Sequence, residues 1–249
     1  MNILVFDTET TSLNKPFCYN VGYTVVSIPS GSILCRRDFI IEQIWHNISL
    51  FSTAYYAEKR PIYVKAMRSK KCVMDKWGYV MRQMKKDIKT YKVKSAYAYN
   101  SPFDDSVFTY NCDWFKTNNP LETIPIYDIR GYAIEYIVDA KYKAFCDANS
   151  FYTDMGNYST TAEMIYRYLT SNPSFEESHT ALSDAEIETT ILLECLARGA
   201  TIDTNYKIPR SVPRIIPKHF VVKESGKEIF SKNCTKITVS KDKQTITLI

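Results

Sequence analysis

No two of the seven cysteines (Cys18, Cys35, Cys72, Cys112, Cys146, Cys195 and Cys234) form a CxxC pair, and none joins a closely spaced Cys/His quartet. A structural zinc site of the usual spacing is thereby excluded. No apolar run approaches the ~18 residues that a membrane-crossing helix needs. The opening stretch, Met1-Asn-Ile-Leu-Val-Phe-Asp7, turns polar after four apolar residues, too few for the core of a secretory signal. The odd cysteine count and the lack of a secretory segment predict reduced thiols in a cytoplasmic compartment and no membrane association. Internal repeats and long low-complexity tracts are absent as well. Histidine is scarce, at three residues: His46, His179 and His219.

The 249 residues suffice to bury a proper core, so one domain plus an extension is the natural organisation. With 45% hydrophobic and 24% charged residues the chain has the composition of a folded protein, rich in aromatics because of its nineteen tyrosines. A net charge of +5 suits a polyanionic partner, although it speaks to association and not to fold. A basic chain that gathers its carboxylates in one place would attract nucleic acid while keeping a local hole for cations.

Residues 2–7 read as a buried strand, and 19–28 with 33–41 as a hairpin turning through Pro29-Ser-Gly31. Residues 41–72 read as helical fragments that Arg60-Pro61 interrupts. Apolar positions from Val73 to about Tyr91 recur at spacings of three and four, which predicts one amphipathic helix over that span. A short strand at 95–99, a helix opened by Pro102 and a strand within Ile124–Ile129 follow. Helices near 130–138, 160–170 and 181–198 come next, the last capped by Gly199. Beyond about residue 205 the Pro-rich run from Ile208 to Pro217 reads as an extended connector, and residues 236–239 with 245–249 as a hairpin. The expected division is therefore 1–205 and 206–249.

Three short stretches carry the chemistry: Phe6-Asp7-Thr8-Glu9-Thr10, Asn100-Ser-Pro-Phe103-Asp104 and His179-Thr-Ala-Leu-Ser-Asp184. Asp7 and Glu9, two apart at a strand end, project to the same face. Side by side, two carboxylates repel unless cations lie between them. Taken alone, each stretch has a plainer reading. Asp7-x-Glu9 fits a solvated acidic turn, and Asp104 or Asp105 fits a helix cap. Asn100 fits either an orienting amide or a turn residue. His46 and His219 have no acidic company and read as structural.

Together, in this order, the three motifs resemble the DnaQ-like 3′–5′ exonucleases of the DEDDh group over approximately residues 1–200. The interval of five from His179 to Asp184 is the distinguishing part. The resemblance implies an α/β fold: a ribonuclease H-like mixed five-stranded sheet flanked by helices, here with a small C-terminal β extension. It also implies two Mg²⁺ or Mn²⁺ ions per site. Asp7, Glu9 and Asp184 would hold the first, Asp7 would bridge to the second, and Asp104 would bind the second largely through water. His179 would be the general base for the attacking water. Such a site suits the residue types, since hard divalent cations prefer oxygen ligands and imidazole titrates near neutrality.

The implied reaction is hydrolysis from the 3′ end of DNA or RNA, preferentially single-stranded, releasing nucleoside 5′-monophosphates. Family analogy puts Thr8, Thr10 and Leu13 against the terminal nucleotide, with Asn100 and Phe103 nearby. The partner is nucleic acid with a free 3′ end. A homodimer and a polymerase or replication partner both stay open as assemblies. Residues 42–94 exceed what a minimal member needs. Their tract Tyr55-Tyr-Ala-Glu-Lys-Arg60-Pro-Ile-Tyr63 reads equally as a strand-tracking surface or as a solvated face with buried tyrosines. Two other functional readings compete: a non-catalytic nucleic-acid- or partner-binding module retaining the fold, and a ribonuclease H-like endonuclease.

Overall fold

A computed structural model describes residues 1–214 in full and, beyond them, the backbone of Lys218–Glu224, Lys227–Cys234, Ile237–Val239 and Ile246–Leu248. The chain divides into two compact units. One comprises Met1–Phe151 with Thr160–Pro209, the other Tyr152–Ser159 with Arg210–Ile249.

In the larger unit β1 (Asn2–Thr10), β2 (Cys18–Ser27) and β3 (Ser32–Ile41) form an antiparallel meander, with Glu9 opposite Asn20 and Asn20 opposite Ile40. Three short helices follow: α1 (Glu42–Trp45), α2 (Ile48–Phe51) and α3 (Arg60–Arg68). Pro61 occupies the first turn of α3, where its missing N–H costs nothing. It starts that helix, where the sequence reading had it interrupting helical fragments.

β4 (Val73–Asp75) then pairs parallel to β3, and α4 (Trp77–Thr90) begins only after it. The expected helix from Val73 is thus shorter by one strand. Val73 is 48% exposed and has no place on the buried stripe of Trp77, Val80, Met81 and Met84. In addition, the Asp75 carboxylate accepts the Lys76 N–H at 2.7 Å, a local bond that competes with helix propagation.

β5 (Val93–Ala98) lies parallel to β1, α5 (Ser101–Phe115) follows, and β6 (Ile126–Asp128) lies parallel to β5. The sheet order is β4-β3-β2-β1-β5-β6, a mixed six-stranded sheet flanked by helices. It is consistent with the ribonuclease H-like arrangement, and β4 supplies the strand beyond the five expected.

β1 sits at the centre because Ile3, Leu4, Val5 and Phe6 are buried on both faces. Beneath one face, Phe108 of α5 meets Phe6 edge-on at 5.5 Å and lies 5.6 Å from Trp77 of α4. After α6 (Ile129–Tyr136) comes α7 (Ala140–Asn149), a helix the sequence reading left out although Asp139 caps it by accepting the Tyr142 N–H at 2.8 Å. α8 (Ala162–Leu169) and α9 (Ala181–Ala197) complete the unit. Gly199, at φ +98°, follows the end of α9 in the left-handed conformation expected of it.

α9 crosses the sheet over β1 and β2. A Cβ on Gly22 of β2 would come within 2.0 Å of the Leu182 nitrogen, so only glycine lets the helix start rest on that strand.

The smaller unit pairs β7 (Lys218–Glu224) with β8 (Lys227–Cys234), a hairpin that the sequence reading did not foresee, and β9 (Ile237–Val239) with β10 (Ile246–Leu248), which it did. The Ser240-Lys-Asp-Lys turn and the side chains of His219 and Cys234 lie outside the described residues. The other six cysteines are buried and free. Among the described residues no helix is long and apolar enough to cross a membrane.

Candidate active site

The second half of β1 carries the first two carboxylates. Thr8, between them, donates its hydroxyl to Asp104 Oδ1 at 2.6 Å. Asp104 is therefore not the cap of α5. Asn100, at φ +63°, takes the N-cap position without a side-chain cap bond, and Asp104 turns inward at 3% exposure while Asp105 faces solvent. Asn100 itself is exposed and donates its backbone N–H to Asp128 at 3.0 Å, the behaviour of a turn residue.

α9 brings the third group. Asn20 Oδ1 accepts the Ala181 N–H at 2.8 Å, satisfying one of the free donors at the helix start, and its amide nitrogen donates to Asp38 at 2.6 Å. With Gly22 beneath, this pins the first turn of α9, and Asp184 rides on that turn. Ligand atoms of Glu9, His179 and Asp184 all lie within 4.8 Å of one another. Asp184 Oδ1 is buried and has no hydrogen-bond partner.

Burial, and then the mutual field of the carboxylates, controls the electrostatics. Asp7 is held well above the ordinary carboxylate range by burial, reinforced by Asp104, Glu188, Glu9 and Asp184. Glu9 is raised likewise by burial and by Asp184 and Asp104. Burial pushes Asp104 and Asp184 each up to about 7. Acids that hold protons this tightly report a dry, crowded anionic site, for which a cation is the physical remedy. His179 moves the opposite way: burial and the Lys59 ammonium lower it, so the imidazole is neutral at physiological pH.

His179 also has φ +51°, uncommon for a side chain of its size. Its ring stacks on Tyr56, its carbonyl accepts the Tyr63 hydroxyl at 3.1 Å, and its Nδ1 lies 3.9 Å from Glu177 Oε2. Glu177, pushed up to about 8 by burial and Asp184, forms a second group with Glu163 and His179 whose ligand atoms also fall within 4.8 Å.

Thr10 Oγ1 bonds the Ser12 carbonyl at 3.3 Å, Leu13 is 80% exposed, and Phe103 packs against the core. His46 is exposed just after α1.

Sequence reasoning overlooked Glu188 and Glu177, and it placed Tyr56 and Lys59 in a basic, aromatic tract without tying them to the acidic residues. Glu188 is 4% exposed, accepts the Tyr99 N–H at 3.1 Å and is raised well above its usual range by burial and Asp104. Its signal was available, since four residues past Asp184 on a helix is the same face. Nothing local ties Tyr56 to a histidine more than a hundred positions away.

No protein-family model matches the sequence, and no curated protein matches it. Among solved structures, a crystal structure of E. coli exonuclease I in complex with a dA16 oligonucleotide aligns with 14% identity and a TM-score of 0.45, covering 77% of this chain and 40% of that one. The chain thus spans about two fifths of the length of the structure it matches.

Proposed function

We propose that this protein is a metal-dependent 3′–5′ exonuclease of the DEDDh type. The observation that carries the reading is Asp184: its Oδ1 is a buried carboxylate oxygen without a hydrogen-bond partner, and its carboxylate lies within 4.8 Å of ligand atoms of Glu9 and His179. An unsatisfied buried acceptor is costly, and a cation in that position would satisfy it. The donor set fits Mg²⁺ or Mn²⁺, being carboxylate oxygens without thiolates. Asp7, Glu9, Asp104 and Asp184 would hold two ions. When bound, they supply charge neutralisation for the attacking and leaving oxygens of a phosphodiester displacement.

The chain's own groups do the rest. His179, neutral at working pH, accepts a proton from the attacking water. The Tyr56 ring and the Tyr63 hydroxyl fix where that imidazole stands. Thr8 keeps Asp104 aimed inward. Glu188 and Glu177 add negative charge around the ligands, which strengthens the demand for cations.

The test is degradation of 5′-labelled single-stranded DNA, single-stranded RNA and duplexes with and without Mg²⁺, beside Asp7→Ala. Ladders that shorten from the 3′ end, need metal and vanish in the variant are the expected result. Internal cuts would favour a ribonuclease H-like endonuclease. Tight binding without cleavage would favour a non-catalytic module. DNA against RNA is read from the same gel.

A further inference from the structure

The segment between α2 and α3 is anchored from below. Phe51 and Ala54 are buried, and the Arg60 guanidinium stands 4.5 Å over the Trp45 ring and 5.0 Å over that of Phe51. On this support Tyr56 stacks on His179, ring centroids 4.1 Å apart and planes within 11°. Tyr55 meets Tyr56 edge-on at 4.8 Å and 89°, yet is itself 84% exposed. An aromatic ring left in water on a rigid support is an open stacking face one ring away from His179. A planar apolar face beside the mouth of an acidic centre matches a base of the bound strand.

We propose that Tyr55 is the stacking platform for an unpaired nucleobase of the strand whose end lies in the acidic centre. The proposal rests on the nuclease reading above and adds a subsite to it. It assigns a role to the extra length of residues 42–94: part of that length is a wall of the site.

The experiment measures binding of a fluorescently labelled single-stranded oligothymidylate and of an abasic oligonucleotide of equal length, in Ca²⁺ to suppress turnover. The full chain is compared with Tyr55→Ala and Tyr55→Phe. One base–aromatic stack supplies roughly a 5- to 150-fold gain in affinity. Tyr55→Ala should lose that factor for oligothymidylate, whereas Tyr55→Phe should stay within about two-fold of wild type. For the abasic strand the three proteins should bind alike, since no base is there to stack. Wild-type binding of oligothymidylate that Tyr55→Ala leaves unchanged overturns the platform and leaves the nuclease reading standing. Equal losses on both oligonucleotides also overturn it, because the effect would then lie in the phosphates or the fold. A wild-type protein that binds neither strand refutes the nuclease reading, and the platform with it. Tyr55 is too exposed for its truncation to threaten folding, and circular dichroism checks that point.

Discussion

Raising the pH in a chelating buffer should weaken this fold, and divalent metal should restore it. Burial pushes Asp104 and Asp184 each up to about 7 in the folded chain, against 3.8 for an ordinary aspartate. An acid raised on folding binds its proton more tightly folded than unfolded. The associated stability is therefore fully present below about pH 4 and is lost as the pH climbs through about 7. A rise of about three pH units at ~1.36 kcal/mol each gives roughly 4 kcal/mol for one such group. The groups share one low-dielectric space and titrate as a set, so their contributions do not simply add. For a chain of this size ~1 kcal/mol moves Tm by about 2–4 °C, so the fall should be on the order of 10 °C between about pH 5 and pH 8. A cation between the carboxylates removes the penalty, and saturation a hundred-fold beyond its dissociation constant adds ~2.7 kcal/mol. Thermal melts across that range, in chelator and in millimolar Mg²⁺, read both effects. A Tm that stays flat or rises with pH in chelator, or falls equally with Mg²⁺ present, refutes the reasoning.

Three further outcomes can be measured directly. His179→Ala should lower turnover by about 10²–10⁴-fold with an unchanged melting curve, because the general-base contribution is of that size; wild-type rates in the variant would remove His179 from the reaction. Gly22→Ala should cost several kcal/mol, roughly 2–5, in urea denaturation and weaken metal binding, since its Cβ would meet the backbone of Leu182 at 2.0 Å. Gly78→Ala, whose nearest neighbours are side-chain atoms at 3.5 Å, is the near-neutral control. Thr8→Val should destabilise the chain by about 1–3 kcal/mol at neutral pH by depriving Asp104 of its donor. Calorimetry should then find weaker Mg²⁺ binding, and an unaltered isotherm would detach Thr8 from the site.

Much of the architecture could be read from local pattern. The apolar run Ile3–Phe6, the turn at Pro29–Gly31 and the three-four spacing of Trp77, Val80, Met81 and Met84 each encode an element through their own periodicity. The inward turn of Asp104 could not be read this way. Asp104 and Asp105 are chemically alike, and only the seating of α5 against Thr8 distinguishes them. β4 was hidden for a related reason: three residues carry too little periodicity to outweigh the helical run that follows them.

By itself the sequence determined most of the strands and helices along the chain and nominated the five candidate residues, because strand ends, helix starts and the interval from His179 to Asp184 are short-range properties of the chain. Only the tertiary structure decided what surrounds those residues. Glu188, Glu177 and Lys59 set the local charge, Gly22 and Asn20 hold α9 against β1 and β2, and Tyr56 faces His179 from a segment far away in the chain. Those facts are distances between parts that never meet in sequence, and packing alone creates them.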